Sequence, residues 1–122
     1  MVISTEGATG GMIYLTKPEE YALVYSKGNS WANKTIVLRA TPNSLTTSRC
    51  GFSIGKKVGG AVVRNRIKRR LREITRLTPL PPGWDMVLIA RQPAAIANYA
   101  GLKKAYTDLL VRARILTNNP SA

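Results

Sequence analysis

The sequence predicts a single α+β domain in which three helices cover a small sheet, in the order α-β-β-α-β-α. Its 122 residues suit one compact domain, and 44% of them are hydrophobic, which is enough for a core. Segments of helical periodicity alternate with short apolar or β-branched runs, and clusters of Gly, Pro, Asn and Ser separate them. We expect the domain at residues 14–117, between a flexible arm at residues 1–13 and a tail at residues 118–122.

The first helix is predicted from about Pro18 to Lys27. Proline is tolerated in a first turn, and Thr16 and Glu19 have the spacing of a capping box. The residues on one face of this helix are Tyr21, Val24 and Tyr25. Gly28 is expected to end the helix in a left-handed conformation.

Three strands are predicted from their composition. Residues 35–40 are rich in β-branched side chains, and Arg49–Ile54 alternates so that Phe52 and Ile54 share one face. Met86–Ala90 is largely apolar, which indicates an interior strand. These three strands are expected to form one sheet.

Two longer helices complete the prediction. The first runs from about Val62 to Leu77, and its core stripe is Ile67, Leu71 and Ile74. The second runs from about Tyr99 to Leu116, with Asn98 as its N-cap. Its apolar stripe is Leu102, Tyr106, Leu109, Leu110 and Ala113.

The charge balance gives the first indication of function. Nineteen Lys and Arg residues oppose six Asp and Glu residues, for a net charge of +13 and a pI near 10.6. Self-repulsion of this size indicates a polyanionic partner, either nucleic acid or an anionic membrane surface. The chain has no histidine, so its one cysteine, Cys50, is interpreted as a small buried hydrophobe rather than a catalytic thiol.

The cations concentrate in Lys56–Arg76, where nine of twenty-one residues are basic and Glu73 is the only acid. Because the apolar stripe holds the helix to the core, most of these cations are expected to project away from it. The expected cationic face is Arg64, Arg66, Lys68, Arg69, Arg70, Arg72 and Arg76. Like charges one turn apart destabilise a helix, so polyanion binding is favoured over a merely solvated face. The pattern alone leaves DNA, RNA and anionic lipid open.

Residues 51–73, with the sequence GFSIGKKVGGAVVRNRIKRRLRE, resemble the signature of the bacterial ribonuclease P protein family. Arg64-Asn65-Arg66 matches the family's RNR motif, and the weaker resemblance extends over roughly residues 15–115. It implies a sheet-and-helix sandwich with a left-handed β-α-β crossover, which is the opposite of the usual hand. It also implies that the RNR helix and the turn before it bind a catalytic RNA. The matching residues are Lys56, Lys57, Arg64, Asn65, Arg66, Lys68, Arg69, Arg70 and Arg72.

The resemblance places a second RNA site in a cleft between the first helix and the sheet, where the single-stranded 5′ leader of precursor tRNA binds. Tyr21 and Tyr25 match aromatic positions of this cleft, and unpaired bases stack on such rings. Either tyrosine is equally well interpreted as a helix-face core residue, and core packing is favoured for Phe52, the third cleft candidate. Arg39 stands where many family members have an aromatic residue, so it is expected to stack on a base or bind a phosphate.

The family's RNA hydrolyses the leader with bound Mg²⁺, so no catalytic residue is expected in this chain. Asn65 is implied to help hold a metal ion at the RNA interface. We expect a cytoplasmic subunit whose partners are the catalytic RNA and precursor tRNA, with no membrane and no obligate protein partner. A ribosomal or other structural RNA-binding protein is the first alternative, and a DNA-binding protein is the second.

Overall fold

The computed structural model describes residues 13–116. Its helices are α1 (Pro18–Lys27), α2 (Ala61–Leu77) and α3 (Tyr99–Arg112). Its strands are β1 (Ile13–Tyr14), β2 (Asn29–Ala32), β3 (Ile36–Pro42), β4 (Arg49–Ser53) and β5 (Trp84–Ala90). Short 3₁₀ turns, Lys56–Val58 and Gln92–Ala95, precede α2 and α3.

The five strands form one mixed sheet in the order β1-β4-β5-β3-β2. β5 is central, parallel to β4 and antiparallel to β3. β1 is parallel to β4, whereas β2 is antiparallel to β3. The α+β prediction is therefore confirmed, and α2 joins the parallel neighbours β4 and β5 in a β-α-β unit. The left hand of this crossover stays a prediction.

The expectation of only three strands is wrong, because the short edge strands β1 and β2 extend the sheet on both sides. Ile13 pairs with Arg49, so the ordered domain includes one residue that was predicted to belong to the arm. The rest of that arm and residues 117–122 lie outside the described residues. Neither edge strand has an alternating apolar pattern that could have predicted it. Each forms because it pairs with a longer neighbour, β1 with β4 and β2 with β3.

The main core lies between one face of the sheet and the helices α2 and α3. The predicted α2 stripe is fully buried there, against sheet residues such as Leu38 and Leu88. Cys50 belongs to the same core, where burial raises the pKa of its thiol far above the usual range, and its interpretation as a buried hydrophobe is confirmed. Four residues of the predicted α3 stripe are also buried in it: Leu102, Tyr106, Leu109 and Leu110.

Within residues 13–116, the elements on the opposite face of the sheet are α1 and a smaller apolar cluster. Leu15, Val24 and Val87 are buried in this cluster, and Tyr21 and Ile89 pack partly against it. The alternation of side chains along β5 explains the division, because Val87 and Ile89 point to α1 while Leu88 points to the main core. The sheet thus separates α1 from the cationic helix α2.

The ends of α1 differ from their prediction. The carboxylate at its N-terminus belongs to Glu20 rather than Glu19, and its Oε1 accepts hydrogen bonds from the backbone N–H groups of Thr16 and Lys17 at 2.9 and 3.0 Å. The left-handed conformation predicted for Gly28 is wrong, since its φ is −74°. Glycine is needed there because a Cβ would lie 2.4 Å from the carbonyl oxygen of Val24.

The last helix begins as predicted and ends early. The Asn98 side chain accepts a hydrogen bond from the backbone N–H of Gly101 at 2.8 Å, which confirms the N-cap. The helix stops at Arg112 rather than Leu116, because Arg114 takes a left-handed conformation with φ 61°. This turn brings Ile115 back under the helix, where it is buried and its N–H bonds to the Leu110 carbonyl.

Candidate nucleic-acid interface

The cations of α2 fall into two groups by exposure. The exposed cations are Lys68, Arg69, Arg72 and Arg76, and the amide of Asn65 is exposed beside them. Lys56 and Lys57, in the turn before the helix, are exposed as well. The expected cationic face is therefore present, and it continues from the 3₁₀ turn along most of α2. A cationic surface on a rigid helix suits a polyanion with regularly spaced phosphates.

The other α2 arginines are half-buried and anchored to backbone carbonyls. Arg64 Nε donates to the Gly59 carbonyl at 3.0 Å, so it closes the turn that leads into the helix. Arg66 Nη2 donates to the Ala95 carbonyl at 2.8 Å, and Arg70 Nη1 donates to the Ala97 carbonyl at 2.9 Å. The sequence placed these three arginines on the cationic face with the other cations, and the structure adds that they are half-buried and fixed to the backbone. Each guanidinium has five N–H donors, so donors remain for a ligand after one anchoring bond.

Two of the exposed arginines contact other side chains. Arg76 pairs with Glu73 at 2.8 Å, which neutralises part of the charge at the end of α2. The Arg72 guanidinium lies over the ring of Tyr14, 5.2 Å from its centroid. Lys68 and Arg69 have no such contact among the described residues, which makes them the least encumbered cations of the helix.

The resemblance places the leader cleft on the α1 side of the sheet, where Tyr21 and Tyr25 of α1 lie. Tyr21 is half-buried against β4, where a Cβ on Gly51 would lie 2.6 Å from its ring atoms. Glycine at this position therefore makes room for the tyrosine ring. Tyr25 is 40% exposed at the far end of the helix. Tyr21 therefore packs partly against the sheet, as its interpretation as a helix-face core residue predicts, whereas Tyr25 is mainly a surface residue. Stacking of either ring on a base stays a prediction.

Arg39 lies beneath Tyr25 and is held by the end of α1. Its Nη2 donates to the carbonyls of Tyr25 at 2.6 Å and Gly28 at 3.1 Å, and its guanidinium carbon is 5.9 Å from the Tyr25 centroid. These contacts put Arg39 next to Tyr25, and its role in binding the leader stays a prediction. They also show a role that the sequence did not indicate, since the side chain clamps the helix that carries Tyr25.

The prediction that Phe52 lines this cleft is wrong. Phe52 packs against the main core on the α2 side of the sheet, and its ring centroid is 5.8 Å from that of Tyr14. Side chains alternate along β4, so Gly51 rather than Phe52 faces Tyr21. The favoured interpretation of Phe52 as a core residue is therefore the correct one.

An ion-pair network at the other end of α1 was not predicted. Arg49 forms a bidentate pair with Asp85, with Nε–Oδ1 at 2.9 Å and Nη2–Oδ2 at 2.7 Å, and its Nη1 bonds to Glu20 Oε2 at 2.7 Å. Asn43 Nδ2 also donates to Asp85 Oδ1 at 2.7 Å. Asp85 is only 1% exposed. The sequence contains one sign of this network, since Asp85 lies near the start of an otherwise apolar strand. A carboxylate buried in such a strand needs a partner.

A basic groove of about 660 Å³ lies near the carboxyl ends of β4 and β5. Its polar lining includes Ser53, Lys56, Lys57, Arg91 and Gln92. The groove joins the turn before α2 to the sheet, so the cationic surface continues beyond the helix.

Within residues 13–116, no three or more Cys, Asp or Glu side chains converge as a metal site would require. No helix in the described range has the length and apolar character needed to cross a membrane.

Fold and surface together define a small, strongly basic α+β protein whose surface suits a polyanion, with the cationic helix α2 on one side of its sheet and the tyrosine-bearing helix α1 on the other. The family model described as Ribonuclease P matches residues 13–114. A ribonuclease P protein component from Dehalococcoides mccartyi (strain 195) is 48% identical over 103 residues, covering 84% of this chain and 86% of that protein.

Two solved structures have the same fold. The Staphylococcus aureus RNase P protein matches with a TM-score of 0.77 and 31% identity, covering 84% of this chain and 95% of its own. The Thermotoga maritima RNase P protein matches with a TM-score of 0.74 and 28% identity, covering 81% and 96%. The chain therefore belongs to the family of ribonuclease P protein components, which confirms the resemblance carried by residues 51–73.

Proposed function

We propose that this chain is the accessory protein subunit of ribonuclease P and that it promotes removal of the 5′ leader from precursor tRNA. The observation that carries the proposal is the family match over residues 13–114, which coincides with the fixed cationic face of α2. A protein component of a ribonucleoprotein endoribonuclease has an RNA partner. The ribosomal alternative lacks such support, because the relatives are ribonuclease P components.

The catalytic RNA is proposed to bind the α2 side. Its contacts would be Lys56, Lys57, Arg64, Asn65, Arg66, Lys68, Arg69, Arg70 and Arg72. Phosphate neutralisation by these residues releases counterions, so the affinity should fall steeply with salt. The anchoring of Arg64, Arg66 and Arg70 holds their guanidinium groups in place before RNA arrives, which reduces the entropy lost on binding.

The 5′ leader is proposed to bind the cleft on the α1 side, where Tyr21, Tyr25 and Arg39 lie. The exposed ring of Tyr25 offers a stacking surface to an unpaired base. Because the sheet separates the two sites, one protein can hold the catalytic RNA and the leader simultaneously. The bound leader would then place the scissile bond at the catalytic centre of the RNA, which is catalysis by positioning.

Bond cleavage is assigned to the RNA subunit, and no residue of this chain is given a catalytic role. Mg²⁺ held mainly by the RNA would activate the attacking water and stabilise the leaving oxygen. On the protein side, the exposed amide of Asn65 is a single neutral ligand among arginines. It fits a metal ion only where RNA phosphates supply the other ligands. We place the complex in the cytoplasm, and the proposal requires no protein partner.

The proposal is tested by reconstituting the chain with a bacterial catalytic RNA at low Mg²⁺ and measuring cleavage of precursor tRNA. Wild-type protein should lower the Mg²⁺ concentration needed for cleavage, whereas the double variant Lys68→Gln with Arg69→Gln should require more protein for the same effect. The matched control is Lys103→Gln with Lys104→Gln, which removes the same charge from exposed positions on α3. Equal effects of the two double variants would exclude α2 as the specific interface, and cleavage by the protein without RNA would exclude the proposed division of labour.

A further inference from the structure

The attachment of α1 to the sheet is unusual for a helix that forms one wall of a binding cleft. Of its ten residues, only Val24 is buried. Its apolar partners are few, chiefly Leu15 and Val87. Because helices in proteins are stabilised mainly by packing of an apolar face, so small a contact leaves the position of α1 dependent on polar interactions.

At the N-terminus of α1, Arg49 of β4 provides such an interaction. Its Nη1 donates to Glu20 Oε2 at 2.7 Å, while its other nitrogens hold the buried Asp85 of β5. The second Glu20 oxygen accepts the backbone N–H groups of Thr16 and Lys17. One carboxylate therefore joins the start of the helix to two strands of the sheet through a single guanidinium.

At the C-terminus of α1, Arg39 of β3 has the corresponding place. Its Nη2 donates to the Tyr25 carbonyl at 2.6 Å and to the Gly28 carbonyl at 3.1 Å. The last carbonyls of a helix have no partner within the helix, and a cation there also interacts favourably with the helix dipole. A second arginine from the sheet thus secures the opposite end of the same helix.

We propose that Arg39 and Arg49 are positioning residues that clamp α1 to the sheet at its two ends and thereby fix Tyr21 and Tyr25 for an unpaired RNA segment. The proposal rests on the leader site proposed above and adds to it the residues that set its shape. Tyr21 follows Glu20 directly, and Tyr25 supplies the carbonyl that Arg39 binds, so each clamp acts on the helical turn that carries one aromatic ring. Base stacking needs close contact, so release of either clamp weakens stacking without removing a ring.

The test uses Arg39→Gln and Glu20→Ala in the reconstituted holoenzyme. Arg49→Met is avoided, because it would leave the buried Asp85 carboxylate without its cation and strongly destabilise the fold as a whole. The control is Arg112→Gln, which removes an exposed cation whose Nη1 also donates to one backbone carbonyl, that of Ala32 at 2.9 Å, away from α1.

Three measurements separate positioning from general destabilisation. The ratio of affinities for precursor and mature tRNA should fall by about tenfold or more in Arg39→Gln and in Glu20→Ala, because each variant loses at least two hydrogen bonds of a charged group. Amide hydrogen exchange in α1 should accelerate, while exchange in α2 and the affinity for the catalytic RNA stay as in wild type. Arg112→Gln should change none of these quantities.

Two results would overturn the clamp. One is an unchanged affinity ratio in both variants, with wild type retaining its preference for precursor. The other is a lower affinity ratio in Arg39→Gln while amide hydrogen exchange in α1 stays as in wild type. If the slope of log affinity against log salt concentration also falls by about one, Arg39 contacts a phosphate directly instead of positioning the helix. If wild type itself binds precursor and mature tRNA equally, the leader site is wrong, and the failure belongs to the proposed function.

Discussion

Individual arginines of α2 differ in role although the sequence presents them as one run. Arg66 and Arg70 tie the helix to the loop before α3 through the carbonyls of Ala95 and Ala97. Lys68 and Arg69 are exposed and make no such bond. The distinction follows from helical phase, because residues flanking the buried stripe can reach neighbouring backbone while those opposite to it cannot.

This distinction predicts different outcomes for Arg69→Gln and Arg66→Gln. Arg69→Gln should weaken RNA binding and leave the free energy of unfolding unchanged. The slope of log affinity against log salt concentration should fall by about one, as expected when one phosphate contact is lost. Arg66→Gln should in addition lower the free energy of unfolding by about 1 kcal/mol, because the Ala95 carbonyl loses its donor. Salt-dependent binding and urea unfolding of both variants check this, and equal unfolding free energies would contradict it.

Gly51 makes room for the ring of Tyr21, which packs directly against it. In Gly51→Ala the new Cβ would meet the Tyr21 ring at 2.6 Å, so the ring must move. We expect a loss of about 1–3 kcal/mol in unfolding free energy, as for other overpacked sites, together with weaker leader binding. Gly55→Ala is the control, since a Cβ there would meet nothing within 4 Å. Similar losses in both variants would show that the contact with Tyr21 is unimportant.

Helices and strands were predicted correctly where the local sequence is sufficient to determine their structure. The stripe Ile67, Leu71 and Ile74 fixed the phase of α2, and the predicted start of that helix was wrong by one residue. The edge strands were missed because their pairing with β3 and β4 is a tertiary effect. Phe52 was assigned to the cleft through the resemblance, although the alternation of side chains along β4 puts it on the other face of the sheet.

The sequence also predicted one part of the candidate site, the cationic face of α2, and missed another, the polar attachment of α1. The cationic face of α2 follows from local sequence, so it was foreseen apart from its anchored arginines. The clamps on α1 join residues far apart in the chain, such as Glu20 with Arg49 and Asp85. Apart from the acidic residue in the apolar strand β5, no local pattern marks this network, and its attachment to α1 is visible only in the fold.

The attachment of α1 should depend on pH through Glu20. Hydrogen bonds from the Lys17 and Thr16 backbone, followed by the charge of Arg49, lower the pKa of Glu20 below its ordinary value of 4.5. A carboxylate with a lowered pKa stabilises the fold above its unfolded-state pKa, and this contribution is lost as the pH falls through the folded-state value. Urea unfolding between about pH 6 and about pH 3 should therefore show a smaller acid loss for Glu20→Gln than for wild type. Parallel curves would exclude this role of Glu20.

For the whole molecule, the net charge of +13 sets the balance between stability and binding. Among residues 13–116, only Arg49, Arg76 and Arg112 form ion pairs, so most cations are uncompensated. Such a surface destabilises the free protein through repulsion and favours association with a polyanion.

The thermal midpoint Tm of the free protein should therefore rise with salt. Increasing NaCl from about 0.05 M to about 0.5 M shortens the range over which surface charges repel one another. Calorimetry at the two concentrations measures the shift, and RNA affinity should fall over the same range. A Tm that decreases with salt would mean that the few ion pairs outweigh the general repulsion.

Equilibrium binding with two variants tests the proposal that one side of the sheet binds the catalytic RNA and the other side binds the leader. Lys68→Gln with Arg69→Gln should weaken binding to the catalytic RNA yet retain the preference for precursor over mature tRNA once the complex is saturated. Tyr25→Ala should do the reverse, with normal affinity for the catalytic RNA and a reduced preference for precursor. If both variants lose both properties to the same degree, the two surfaces are not separate and the account is wrong.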